Sequence, residues 1–191
     1  MNNPFSLEGK TILVTGASSG IGRATAIACS QMGAVVVVTG RNESRLQETL
    51  DALEGSGHQM IVADITNDDQ IDYLVDQIPA INGLVNNAGI TETCPTQFVK
   101  RDKLNHVLEV NTIAPILLTQ RILKKKKLGK GGSIVITCSI SGTSVCGGGN
   151  VLYSASKGAI HGFMKNAALD LAHKGIRVND AERGIGGKKS G

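Results

Sequence analysis

The chain has 191 residues, of which 41% are apolar and 19% charged, and its formal net charge is +4 at pH 7. That length and apolar share can bury one sizeable core, close to the size of a single α/β domain. No apolar run reaches transmembrane length, and a charge this modest argues against a nucleic-acid partner. Aromatic residues are scarce, with three Phe, two Tyr and no Trp, so Val, Ile, Leu and Ala must fill the interior. A parallel sheet covered on both faces makes that demand.

Thr11 to Thr15 is a short β-branched apolar run that predicts a buried strand, and Arg23 to Ala28 predicts a helix. Between them Gly16-Ala17-Ser18-Ser19-Gly20-Ile21-Gly22 places three glycines where a strand turns tightly into a helix. Such a turn lets a pyrophosphate approach backbone N–H groups at the positive end of the helix. The Gly-x-x-x-Gly-x-Gly spacing differs from the commoner Gly-x-Gly-x-x-Gly fingerprint; an ordinary Gly-rich loop is the plainer reading, and the flanking strand and helix favour dinucleotide binding.

Strand and helix patterns then alternate. A strand is expected at Ala34 to Thr39, a helix at about Glu43 to Leu53, a strand at Gln59 to Ala63, a helix at about Asp68 to Gln77, and a strand at Gly83 to Asn86. One long helix is expected from about Arg101 to Leu128, bent just after Asn111 by Pro115. A strand at Ser133 to Thr137, a helix carrying Tyr153 and a strand at Ile176 to Asn179 complete the series. The expected architecture is α/β, a doubly wound parallel sheet of six strands in the order 3-2-1-4-5-6, with ligands outside the carboxyl ends of the strands. Lys124 to Lys127 with Lys130 read as a solvated helix end favoured by the helix dipole. No internal repeat, linker or second domain is visible.

Tyr153 and Lys157 lie at i and i+4, on one face of a helix. A fixed cation beside a phenol favours its ionised form and turns the pair into a proton-transfer unit. Alone, that spacing more often marks a solvated helix face.

Together the glycine turn and Tyr153-Ser154-Ala155-Ser156-Lys157 resemble the short-chain dehydrogenase/reductase family, and within it the 3-oxoacyl-ACP reductases. Further landmarks occur in order: Asn86-Asn87-Ala88-Gly89 after a strand, Asn111 in Glu109-Val110-Asn111-Thr112, and Ser139 after Ser133 to Thr137. The resemblance covers about Leu7 to Asn179 and implies a Rossmann domain over residues 1–179. It implies an NAD(P)-dependent oxidoreductase that moves a hydride between a nicotinamide and a carbonyl or alcohol substrate. By the same resemblance Ser139 polarises the substrate oxygen, Tyr153 gives the proton, Lys157 eases that transfer and holds the nicotinamide ribose, and Asn111 holds a water linking Lys157 to solvent. The cofactor would lie on Gly16, Ser18, Ser19, Gly20, Ile21, Gly22, Arg41, Asp64, Ile65, Asn87, Ala88, Gly89, Tyr153 and Lys157.

Cofactor choice falls at the end of the second strand, Val38-Thr39-Gly40-Arg41-Asn42. Neither Thr39 nor Gly40 is the carboxylate that would bind an unmodified ribose, whereas the Arg41 guanidinium suits a 2′-phosphate, favouring NADP over NAD. The plainer reading is that Arg41 merely begins the next helix. Asp64 matches the family's adenine-contacting acid, or else caps the helix that follows.

Two departures from the family pattern stand out. Gly147-Gly148-Gly149 adds about one residue between Ser and Tyr, making Ser141 a rival to Ser139, although Ser139-Ile140-Ser141-Gly142 keeps the Ser-x-x-Gly phasing. After Asn179 the family continues into a Pro-Gly turn, a substrate lid and a seventh strand, and here residues 180–191 form a polar Gly/Lys-rich stretch with little to bury. That stretch is expected to be disordered and reads like foreign sequence from a shifted or truncated frame. The alternative function is thus a catalytically impaired remnant that binds cofactor or a partner subunit without turnover.

Cys29, Cys94, Cys138 and Cys146 show no Cys-x-x-Cys spacing, and His58, His106, His161 and His173 form no ligand pattern with them, so no metal is expected. Scattered cysteines and an N-terminus without a leader pattern lead to the expectation of a cytoplasmic protein. The resemblance implies a homo-oligomer, a dimer or tetramer, with a small-molecule substrate and neither nucleic-acid nor membrane partners.

Overall fold

The computed structural model describes residues 3–145 and 147–183. Six parallel strands form one sheet: β1 (Thr11–Thr15), β2 (Val35–Gly40), β3 (Gln59–Val62), β4 (Ile81–Asn86), β5 (Leu128–Ser139) and β6 (Arg177–Arg183). Their order is β3-β2-β1-β4-β5-β6, the expected doubly wound arrangement. The helices are α1 (Gly20–Gln31), α2 (Glu43–Asp51), α3 (Asp68–Gln77), α4 (Arg101–Leu108), α5 (Ala114–Lys124) and α6 (Val151–Ala172).

Alternation along the strands sends side chains into two cores. Leu13 and Val37 join α3, α5 and α6 through Leu74, Leu118 and Ile160, whereas Ile12, Val14, Val36 and Val38 pack with Ala26 of α1 and Leu46 of α2. The strands are therefore apolar on both faces, as sequences of central parallel strands must be. Asn42 and Asn67 start α2 and α3 by accepting hydrogen bonds from the amides of Arg45 and Gln70, satisfying donors that a helix start leaves free.

The long helix expected over Arg101 to Leu128 is instead a broken rod. α4 ends at Leu108, a π turn occupies Glu109–Ile113, and α5 follows. Pro115 lacks the N–H that an α-helix would bring to the Asn111 carbonyl, and its ring crowds that carbonyl, so the chain widens by one residue there. The Ala114 amide accordingly reaches back to the Glu109 carbonyl. The rod also stops before Leu128: Lys126 takes a left-handed φ of 56°, and Leu128 starts β5 beside Ile81.

Lys124, Lys126 and Lys130 of the lysine run are exposed, as expected, whereas two of its members are engaged with the chain itself. Lys125 Nζ lies 2.6 Å from Asp76 Oδ1 of α3, and Lys127 Nζ donates to the Ile78 carbonyl at 2.7 Å. Arg121 adds contacts to Asp68 at 2.9 Å and Asp72 at 3.1 Å, so α3 and α5 meet through opposite charges.

β6 runs past the expected Asn179 to Arg183, pairing Asp180 with Ile136 and Arg183 with Ser139. The first residues of the stretch expected to be disordered thus belong to the sheet, because the long β5 offers backbone partners along its whole edge. Cys146 and residues 184–191 lie outside the described residues. Among the described residues no helix is long and apolar enough to cross a membrane.

Candidate active site

The carboxyl ends of β1 to β5 and the first turns of α6 surround a cavity of about 500 Å³. Its first wall is the β1–α1 turn, with Gly16, Ser18, Ser19, Gly20 and Ile21. Gly16 and Gly20 have φ of 64° and 55°, a region that favours glycine. Gly22 is not in the wall but makes it possible: a Cβ there would lie 2.3 Å from the Gly16 carbonyl oxygen and 2.5 Å from Asn87 Nδ2. Only a bare backbone lets α1 begin this close to the end of β1.

Thr15, which the sequence reading passed over, ties this wall to β4. Its hydroxyl donates to the Val85 carbonyl at 3.3 Å and accepts from the amides of Asn87 at 3.0 Å and Ala88 at 3.1 Å. Asn87 donates to the Thr15 carbonyl at 3.2 Å and accepts from the Thr137 hydroxyl at 3.3 Å, joining β1, β4 and β5 at the cavity floor.

The second wall comes from the ends of β2 and β3, with Thr39, Gly40, Arg41, Ala63, Asp64, Ile65 and Thr66. α2 starts at Glu43 behind its Asn42 cap, so Arg41 belongs to the loop and not to the helix. Its guanidinium stands 3.8 Å from Asp64 and is largely exposed. Asp64 does not cap α3; it accepts hydrogen bonds from the Thr66 amide at 3.0 Å and the Thr66 hydroxyl at 2.8 Å. Partial burial pushes the Asp64 carboxyl up, but the two Thr66 hydrogen bonds and the charges of Arg41 and His106 outweigh it, leaving the group below the usual carboxylate range.

The third wall holds Asn87, Ala88, Gly89, Ile90, Thr91, Val110, Thr137, Tyr153 and Lys157. Lys157 is buried, donates to the Thr137 carbonyl at 2.6 Å, and lies 5.7 Å from the centre of the Tyr153 ring. Burial depresses its ammonium pKa, with Cys138 nearby acting in the opposite direction. Asn111 and Ser139 are buried and are not among the residues lining the cavity. The Asn111 side chain, buried at the π turn, accepts from the Ile90 amide at 2.8 Å and donates to the Ile90 carbonyl at 2.9 Å and Ser156 Oγ at 3.0 Å. Ser139 is buried and its Oγ accepts from the Ser141 amide at 3.1 Å. Gly142 lets this segment lie against α6: a Cβ there would sit 2.3 Å from the Ser154 carbonyl oxygen, which accounts physically for the Ser-x-x-Gly phasing.

Of the residues expected to bind cofactor, all but Gly22 line this one cavity. One further feature suits a dinucleotide. The Ser19 side chain makes no capping bond to α1, leaving the amides of its first turn for an anion. Thr39 Oγ1 is buried and has no hydrogen-bond partner among the described residues. Ala63, Thr66 and Thr137 were not singled out from the sequence; their position at or just after strand carboxyl ends is the signal that could have found them.

The short chain dehydrogenase family model matches residues 10–186. The chain belongs to the short-chain dehydrogenase family. This family membership carries the NAD(P)-dependent oxidoreductase class. The 3-oxoacyl-[acyl-carrier-protein] reductase of Rickettsia bellii is 34% identical over 181 residues, covering 95% of this chain and 74% of that protein. The crystal structure of a short chain dehydrogenase from Mycobacterium smegmatis superposes with a TM-score of 0.88 at 28% identity, covering 98% of this chain and 81% of that one. A short chain dehydrogenase from Burkholderia cenocepacia, solved in complex with NADP, gives 0.83 at 36% identity, covering 91% of this chain and 73% of that one. The chain is thus shorter than the relatives it matches.

Proposed function

We propose that this dehydrogenase is an NADP-dependent ketone reductase of the 3-oxoacyl type, with Tyr153 as its proton donor. The observation that carries this reading is that one cavity gathers Tyr153, Lys157, the glycine turn and Arg41. The Arg41 guanidinium is the group suited to a ribose 2′-phosphate, and no carboxylate stands at Thr39 or Gly40 to prefer the free hydroxyl. The amides at the start of α1 receive the pyrophosphate. The reductase name of the Rickettsia bellii relative and the NADP of the Burkholderia cenocepacia structure agree with it.

A bound nicotinamide supplies the hydride. Tyr153 gives the proton that the resulting alkoxide needs, and Lys157, held by the Thr137 carbonyl, stabilises the negative charge left on the phenol oxygen. Ser139 orients the substrate oxygen, and its own hydroxyl is positioned by the Ser141 amide. Asn111 is a positioning residue, fixing the loop after β4 and α6 through Ile90 and Ser156. The working protein is a homo-oligomer.

The test is NADPH oxidation against a panel of ketones and 3-oxoacyl thioesters, with Tyr153→Phe alongside. Turnover that falls roughly 10²–10⁴-fold in the variant while NADPH still binds supports the assignment. A variant as active as the wild type refutes the role of Tyr153, and NADPH binding without turnover in the wild-type chain refutes the reductase reading.

A further inference from the structure

Behind the wall that carries Lys157, three elements bring together groups that the proposed reduction does not use. Cys138 comes from β5, His161 from α6 and Asp180 from β6, and one potential ligand atom of each lies within 4.8 Å of the other two. His161 Nδ1 and Asp180 Oδ2 are 2.7 Å apart. Cys138 is fully buried, whereas the imidazole and carboxylate are 21% and 19% exposed, so the cluster is closed on the thiol side and open to solvent on the other. Asp is a poor strand former, yet Asp180 sits within β6 opposite Ile136. His161 sits one turn beyond Lys157 on α6, among residues that pack on the sheet.

The geometry points to a binding site for a zinc-class divalent cation on Cys138, His161 and Asp180. Thiolate, imidazole and carboxylate are the donors zinc takes, and three protein ligands with one open side are the arrangement that leaves a fourth position for water. In a tetrahedral site with ordinary Zn–S and Zn–N lengths, ligand atoms stand about 3.3–3.6 Å apart. The present separations, from 2.7 Å to at most 4.8 Å, bracket that spacing. Charge also balances: a thiolate and a carboxylate neutralise a divalent ion, and the Cys138 proton passes to solvent as the metal binds.

Such an ion would pin β6 at the sheet edge to β5 and α6. It would also fix the backbone beside Thr137, whose carbonyl holds Lys157. The ligands come from segments far apart in sequence, so no spacing rule could reveal them, and the expectation of no metal rested on spacing alone.

The test uses the full chain stripped with a chelator and titrated with Co²⁺ alone. The expected result is a sulfur-to-cobalt charge-transfer band with tetrahedral d–d absorption, saturating at one Co²⁺ per chain and bleached by Zn²⁺. Cys138→Ser removes the band, and the combined Cys29→Ser, Cys94→Ser and Cys146→Ser variant retains it. Zn²⁺ at about a hundredfold over its Kd raises the melting temperature by roughly 5–10 °C. A wild-type chain that shows no such band and no shift in melting overturns the proposal, leaving a hydrogen-bonded cluster. A band that survives Cys138→Ser overturns it equally.

Discussion

Gly22→Ala and Gly162→Ala make a matched pair, because both place a methyl on a helical glycine but in opposite surroundings. At Gly162 of α6 an added Cβ meets nothing within 4 Å, so only helix propensity changes. That substitution should stabilise by about 0.5–1 kcal/mol. At Gly22 the same gain is set against a Cβ lying 2.3 Å from the Gly16 carbonyl oxygen, roughly 1 Å inside van der Waals contact. The obstructing carbonyl is backbone and cannot rotate aside, and Asn87 Nδ2 at 2.5 Å is engaged with the Thr15 carbonyl. Overpacking of this kind costs about 1–3 kcal/mol, and the rigid neighbour places it at the upper end. The net loss is about 2 kcal/mol, a fall in melting temperature of roughly 4–8 °C for a chain of this size. Chemical denaturation should show the two variants moving in opposite directions. The displaced turn should also weaken NADPH binding, read by the fluorescence of the bound nicotinamide. A Gly22→Ala chain as stable as Gly162→Ala would refute the claim that close backbone approach dictates glycine there.

Arg41→Ala should raise the Kd for NADPH at least tenfold and leave that for NADH nearly unchanged, so unchanged NADPH affinity would remove Arg41 from cofactor selection. Asn111→Ala should cost about 2–3 kcal/mol in urea denaturation, since it strips the Ile90 amide and carbonyl of their partner. Burial places the Lys157 pKa below that of an unfolded lysine at about 10.4, so between the two values the unfolded chain binds the extra proton and stability rises with pH. Lys157→Met should therefore flatten the pH dependence of urea midpoints in that alkaline window, and an unaltered slope would refute the burial argument. Asp64 carries the opposite sign: its depressed carboxyl contributes stability above the unfolded carboxylate value of about 3.9, lost as pH falls through the folded value. Asp64→Asn should remove that part of the acid sensitivity in melts below about pH 4.

Where the sequence carries a dense local pattern, the fold follows it. Thr11–Thr15 is a run of β-branched and apolar residues and forms the strand expected, and α3 begins and ends where its Asn67 cap and apolar spacing place it. The cavity was legible for the same reason, because its walls follow strand ends marked by glycines and polar residues. The start of β5 was not legible. Leu128 to Gly132 is rich in Gly and Lys and has no strand pattern, yet Leu128 is buried and pairs with Ile81. The end of β6 hid likewise, since Asp180 to Arg183 is poor strand sequence and is extended only because β5 supplies backbone partners. The π turn depends on how one missing N–H at Pro115 is accommodated, a choice between bending and widening that tertiary contacts make. Asn111 shows why widening wins: its side chain bonds to both Ile90 and Ser156, and that position is fixed by the loop after β4 and by α6.

Lys157 is where stability and chemistry conflict. A buried ammonium is costly unless paired, and the neighbours described for it are the Thr137 carbonyl at 2.6 Å and the Tyr153 ring at 5.7 Å. A carbonyl dipole and a ring face offset part of that cost and leave the charge unneutralised. A carboxylate in their place would stabilise the fold better but would cancel the positive field on which the proposed role of Tyr153 depends. In the proposed reduction the weak pairing leaves the cation available to Tyr153, which develops negative charge as it gives up its proton. Gly89 serves the same end, since a Cβ there would stand 3.2 Å from Asn111 Oδ1 and 3.7 Å from Lys157 Nζ. A side chain at that position would crowd both groups, and the proposed role of Lys157 needs the space beside its ammonium left open.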